Sequence, residues 1–295
     1  MKKIPVGATI VHGYRYTFTN APALLKTIWL PMVLYLGLGI PTLHRIGQLL
    51  TAATARDPSM VNLMGPLLFL FPVLIILSMV QVTAATELAL GMPIGSRFYF
   101  PFGKKLWRLI GGYLLAVVAI IALALLLFFV GLLVSLVLKG QSATVLSLFA
   151  VAVILIAYGG VIFMAVRFLF LLAPASITEQ RLGVARSWSL TRGNFWRAFL
   201  VSLAVFIPVM IIQYALQFSL AGFPPMSPGA SAEVAKAART AWNIKMLDAL
   251  AANWFITLPA FVLVLLVYFG VGCGVQAYAW RKLTEDEGLA PIAGD

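Results

Sequence analysis

The sequence predicts an all-α, polytopic membrane bundle of six transmembrane helices with interfacial elbow helices, and three observations carry that prediction. Of 295 residues, 62% are hydrophobic and 10% charged, with a mean hydropathy of +1.01, which leaves too little polar surface for a soluble globule of this size. The apolar residues gather in six runs, each long enough for the roughly 20 residues that a bilayer crossing needs. Lys and Arg collect at the ends of those runs, where lipid phosphates would meet them. The net charge of +12 is thus a membrane-surface feature, and nucleic acid is not expected as a partner.

Taken in order, residues 4–19 carry Val6, Ile10, Tyr14 and Phe18 at steps of four, a stripe that a helix lying in the interface would bury, with His12 and Arg15 turned to water. The first span covers 24–43, and Pro31 and Pro41 predict a kinked or short crossing. A polar connection with His44, Arg45, Arg56, Asp57 and Pro58 follows. The second span runs over 61–83 and extends towards 90, with Gln81 and Glu87 in its last turns. Residues 91–105, with Pro93, Gly95, Pro101 and Gly103, form another elbow.

The third span, 106–138, has no charge after Arg108 and exceeds the bilayer's need, so it should tilt or protrude. A tight turn, Lys139-Gly140-Gln141-Ser142, leads into the fourth span, 145–172, giving an antiparallel hairpin. The fifth span, 198–220, contains Pro208 and Gln213. An excursion over 221–248 begins as a Pro/Gly/Ser loop and continues as an Ala-rich surface helix over 232–242. The sixth span, 250–278, carries Gly270 and Gly274 in a GxxxG spacing, which lets a second helix approach closely but arises often by chance in apolar runs. An acidic tail, 283–295, is expected to be solvated. The basic start Met1-Lys2-Lys3 lacks a signal-peptide cleavage pattern, so the N-terminus should be retained.

The densest stretch is 167–197. Ser176-Ile177-Thr178-Glu179 matches a capping box and predicts a short helix starting there after Pro174. That helix should end near Arg192, with Gly193 as its left-handed terminator and Asn194 capping the next span. Arg167, Pro174, Glu179, Gly183, Ser187, Leu190, Thr191, Gly193, Trp196 and Arg197, in that order, resemble the signature of a broad bacterial group of six-helix membrane proteins. These are similar to the glycerophosphoryl diester phosphodiesterase membrane domain. The resemblance implies an integral inner-membrane protein. The phosphodiesterase activity in that name would belong to a separate soluble domain, for which 295 residues of membrane-type sequence are expected to leave no room.

Three stretches look alike. Each odd-numbered span is entered through an aromatic or apolar residue and a base, ending at Lys26, at Trp107-Arg108 and at Trp196-Arg197, and each even-numbered span carries Val80-Gln81, Val166-Arg167 or Val275-Gln276. The separations from base to polar residue are 55, 59 and 79, the last lengthened by the excursion. This fits three copies of an elbow plus hairpin, at 4–90, 91–175 and 176–282, although any membrane hairpin tends to have a basic-aromatic entry. A threefold arrangement would bring Gln81, Arg167 and Gln276 together as a lipid- or anion-binding cradle. Against this, Arg167 can be read as a snorkelling residue, and Trp107, Arg108, Trp196 and Arg197 as an interfacial belt.

No catalytic or metal-binding constellation appears. His12 and His44 fall on opposite sides of the first span, and P-loop, HExxH, GxSxG and CxxC patterns are absent. Glu87 and Glu179 read as capping or ion-pair residues. Cys273 is the sole cysteine, so no intrachain disulfide forms. No cofactor or metal is expected. Fourteen bases lie on the side of the termini, the 91–105 elbow and the 176–197 elbow, against six (Arg45, Arg56, Lys139, Lys236, Arg239, Lys245) on the other, which places both termini in the cytoplasm. The expected function is non-enzymatic binding of lipid or amphiphile through a cavity near that face, with membrane lipids, anionic ones included, as partners. A scaffold subunit with a protein or second-copy partner, and a small-solute transporter, remain the alternatives.

Overall fold

The computed structural model describes residues 2–55, 60–94, 99–137, 140, 142–179, 181–225 and 231–287, and among them every regular element is helical. Arg56, Asp57, Pro58, Gly95, Arg97, Leu138, Lys139, Gln141 and the last part of the acidic tail lie outside the described residues. Six helices are long and apolar enough to cross a membrane, so the chain is an all-α polytopic bundle. Their tertiary arrangement departs from the sequence expectations in several places.

Helix α1 (Val6–Thr19) precedes α2 (Ala21–Ala55), which continues unbroken through Pro31 and Pro41 for 35 residues. The expected short crossing is therefore a long one. Each proline leaves a carbonyl without its helical donor, but neighbouring side chains supply local hydrogen bonds in membrane helices. Gln81 Nε2 donates to the Pro31 carbonyl at 3.3 Å, and Thr27 and Thr42 hydroxyls donate to the carbonyls four residues back; these are not the Thr27 and Gly37 carbonyls that the prolines leave without a donor. At 1.5 Å per residue α2 is about 52 Å long, well beyond the ~30 Å hydrocarbon layer. His44 and Arg45 thus belong to the helix rather than to a loop.

Helix α3 (Met60–Ala89) returns along α2, and α4 (Lys104–Val137) and α5 (Ala143–Leu169) form the expected hairpin. Gly140 adopts φ +97°, and Ser142 Oγ accepts from Val145 N–H to cap α5. No helix occurs among the described residues of the 91–103 connection. Its prolines and glycines are poor helix formers.

The 176–197 elbow is built differently from the capping-box expectation. The chain turns at Phe170, and α6 (Leu172–Thr178) follows, with Pro174 in its first turn, where a missing N–H is harmless. Ser176 lies inside this helix, and its hydroxyl donates to the Leu182 carbonyl rather than capping anything. Glu179 is the residue after α6, not the third of a new helix. Helix α7 (Val184–Thr191) starts after Gly183, whose φ of +73° and position against Ser176 N, 2.9 Å from a hypothetical Cβ, leave no room for a side chain. Competition decided this: the local Ser-x-x-Glu signal lost to packing of Leu172, Ala173 and Val184 against Leu109 of α4.

Helix α8 (Phe195–Ala221) leads through the excursion to α9 (Ala232–Ala252), longer than expected, and to α10 (Trp254–Thr284). Helix α9 packs on α2 and α8, with Leu247 and Leu250 buried and Gly47 of α2 against Leu247. Residues 226–230 of the excursion are not among those described.

The main core joins α1, α2, α3, α6, α8 and α10. Of the Val6/Ile10/Tyr14/Phe18 stripe, the first three pack partly buried against the main core, but Phe18 is 67% exposed, and the most buried positions of α1 are Thr9, Gly13 and Thr17. They face Gly270 and Gly274, so the GxxxG spacing marks a true close contact. A Cβ on Gly274 would sit 2.9 Å from Tyr16 Cδ1 and 3.2 Å from Gly13 Cα. His12 stacks on Tyr278, ring centroids 4.5 Å apart, and does not point to water. The α4–α5 hairpin is peripheral. Its buried residues are confined to the elbow end, at Leu106, Leu109, Gly112 and Ala116 of α4 and Val166 and Arg167 of α5.

Both termini and the elbow share one face of the bundle. Lys2 pairs with Glu285 and Asp286, Arg186 with Glu179 and Glu287, and Arg281 donates to the Ala89 carbonyl at 3.1 Å.

Candidate functional site

Arg167 is only 8% exposed. Its Nη2 donates to the Trp188 carbonyl at 2.8 Å, and its guanidinium lies 3.9 Å from the Trp188 ring centroid and 5.5 Å from that of Phe163. The backbone carbonyl of Arg167 accepts from Ser187 Oγ, which in turn accepts from Leu171 N–H. Ser187, placed by α7, therefore occupies the hydrogen-bonding positions that the break after α5 opens. The arginine pins α7 to the end of α5.

Gln81 is fully buried and turned to α2 through the Pro31 carbonyl, and its Oε1 has no partner among the described residues. Gln276 is partly buried in the wall of a cavity of about 300 Å³. The segments carrying the three polar residues do converge there: Val82, Val166 and Gln276 all line this cavity. In two of the three, however, the neighbouring valine faces inward, and Gln81 and Arg167 do not contribute to the wall. A helix turns 100° per residue, so a one-residue offset moves a side chain to another face.

The cavity lies between the hairpin and the main core, with Tyr113 of α4, Val166 and Phe170 near the end of α5, Ser202 of α8, and Tyr268 and Gln276 of α10 among its lining. Tyr268 is 44% exposed. The Ser202 hydroxyl donates to the Ala198 carbonyl, and Cys273 Sγ approaches the Val82 carbonyl at 3.9 Å. Among the described residues none hydrogen-bonds to the Tyr113 or Tyr268 hydroxyl or to the Gln276 amide. Among the described residues no Lys, Arg, His, Asp or Glu lines the cavity. Gly272 also lines it, and a Cβ there would meet nothing within 4 Å.

The elbow residues sit around this site without entering it. Trp107 and Trp196 are exposed, as residues of an interfacial belt would be. Arg108 Nε donates to the Lys104 carbonyl. Arg197 donates to the Ile4 carbonyl, and Asn194, at the cap position of α8, spends its side chain on Ile4 N–H and the Lys2 carbonyl instead of on a cap. Glu179 pairs with Arg186 at 2.6 Å. Glu87, 2% exposed, accepts from Lys105 at 2.6 Å and from the Tyr99 hydroxyl. Burial, with the adjacent Glu87 carboxylate, pushes the Tyr99 phenol well above its ordinary range. These carboxylates are ion-pair residues, and no cluster of His, Cys, Asp or Glu suited to a metal occurs among the described residues.

Sequence reasoning missed Tyr113, Tyr268, Ser202 and Gly272. Isolated tyrosines in apolar runs were the available signal, but the residues come from different helices and have no mutual spacing. Compared with family models, curated proteins and solved structures, the chain matches none.

Proposed function

We propose that this integral membrane protein binds an amphiphile in the cavity between its α4–α5 hairpin and its main core, as a lipid-handling rather than a catalytic protein. The observation that carries the reading is a cavity of about 300 Å³ with mostly apolar walls and a few polar groups, without partners among the described residues, the usual make-up of a small-molecule site. That volume is at the lower end of the range for such sites, so it suits one part of a lipid, not a whole diacyl molecule. The hairpin's loose attachment supports lateral entry from the membrane. The excess of Lys and Arg on the elbow side supports a bacterial inner-membrane location with that face and both termini cytoplasmic.

Native mass spectrometry of the full chain, gently solubilised, tests the reading. Wild type should retain a lipid, and Gly272→Leu, whose side chain grows into the cavity, should lose it at least about tenfold while helical circular dichroism is unchanged. Equal lipid retention by the two proteins would overturn it. An accessory-subunit reading draws on the exposed first turns of α9, Glu233 to Ala237, and a stoichiometric protein companion in the same spectra would favour it.

A further inference from the structure

The cavity's polar groups are specific enough to say what kind of amphiphile fits. Its lining holds two phenols and one primary amide without a protein partner among the described residues, and no ionised side chain. Tyr268 and Gln276 are eight residues apart on α10, about 12 Å along the groove. Counted at the same rise from Lys104, Tyr113 lies about 13 Å beyond the start of α4, past the headgroup level marked by the exposed Trp107. Two phenolic donors and an amide that both donates and accepts match carbonyl oxygens. They do not match a phosphate, since an anion at this depth would lose its hydration with no counter-charge in reach. Arg167, next in sequence to the lining residue Val166, does not line the cavity, and its Nη2 and guanidinium face are taken up by Trp188.

We infer that the cavity selects an uncharged lipid whose carbonyl oxygens take hydrogen bonds from Tyr113, Tyr268 and Gln276, a chemistry shared by diacylglycerols and prenyl quinones. This rests on the cavity being the ligand site. It replaces the anion cradle, because the one trio member in the wall is neutral.

The test uses the full chain in mild detergent, titrated with a short-chain prenyl quinone, a diacylglycerol and a phosphatidylglycerol, and read by native mass spectrometry. Wild type should bind one of the two uncharged probes at least about tenfold more tightly than the phosphatidylglycerol, and the preferred probe identifies the source. Tyr113→Phe, Tyr268→Phe and Gln276→Met keep the shape, and each should weaken that probe about fivefold, the size of one hydrogen bond. The single variants guard against a combined variant that fails to fold. Preference for phosphatidylglycerol overturns the inference. So does unchanged binding in the single variants when Gly272→Leu abolishes it, but that result leaves the amphiphile site standing. Unchanged binding in Gly272→Leu as well removes both.

Discussion

At the scale of single residues, charge in this protein is used to fasten segments. Arg167 combines a hydrogen bond to a carbonyl with stacking on Trp188, contacts that together contribute about 2 to 3 kcal/mol in a partly desolvated site. Arg167→Gln should lower the thermal unfolding midpoint in detergent, and Arg167→Lys should recover only part, because an ammonium lacks the planar fork. An unchanged midpoint in Arg167→Gln would return the residue to the headgroup region. The Glu87–Lys105 pair is asymmetric, with side-chain exposures of 3% and 44%. Lys105→Met leaves the buried carboxylate with the Tyr99 hydroxyl but no counter-charge, and should cost about 3 kcal/mol. Glu87→Gln leaves an ammonium that water can reach, and should cost about 1 kcal/mol or less. Chemical denaturation of the two variants in one detergent checks the order.

At the scale of elements, close approach decides the packing of α1. Gly13, Gly270 and Gly274 let two backbones meet, a contact governed by shape in which hydrophobic stripe arguments have little force. Gly274→Val would push against Gly13 and Tyr16, at a cost of about 1 to 3 kcal/mol. Hydrogen exchange should then rise across residues 6–19 and not in α4 or α5; a uniform rise would mean that α1 is not a separate unit. The same logic separates the two membrane prolines of α2 from a break. The helix runs on through both prolines, with Gln81 tied to the Pro31 carbonyl from the neighbouring α3.

At the scale of the molecule, the termini and the elbow are tied across one face. Lys2 bonds to Asp286 and Glu285, so its pKa is raised by the Asp286 hydrogen bond and that of Glu285 is lowered by the Lys2 hydrogen bond. The lowered acid contributes above its ordinary value of 4.5 and its contribution is lost as pH falls through the folded value; the raised base contributes below 10.5 and loses its contribution only as pH rises past the folded value. Exchange protection at residues 2–4 should therefore be flat through neutral pH. It should fall only in part at high salt, because Asn194 and Arg197 hold the backbone of residues 2 and 4 by uncharged or charge-assisted hydrogen bonds. The bundle also predicts sidedness. In a Cys273→Ala background, Gly140→Cys at the hairpin tip and Arg192→Cys at the elbow should react with an impermeant maleimide from opposite sides of the membrane. Labelling from one side would break the threading.

The existence and order of six spans were legible because a crossing helix must be a long apolar run whatever its neighbours are, and the Lys and Arg clusters at their ends follow from the same solvent boundary. Gln81, Arg167 and Gln276 were correctly placed near the ends of their helices, yet their directions were not legible. A side chain's face depends on helix rotation against partners far away in sequence, and uniformly apolar helices carry no periodic signal to set it. The cavity of Tyr113, Ser202, Tyr268 and Gln276 exists only where separate helices meet, so tertiary packing alone decided it. The sequence by itself determined that the chain is a six-span membrane bundle and which ends of its runs gather the cations; the fold decided that several of those cations fasten the protein's own backbone and carboxylates and that the cavity is lined by neutral groups.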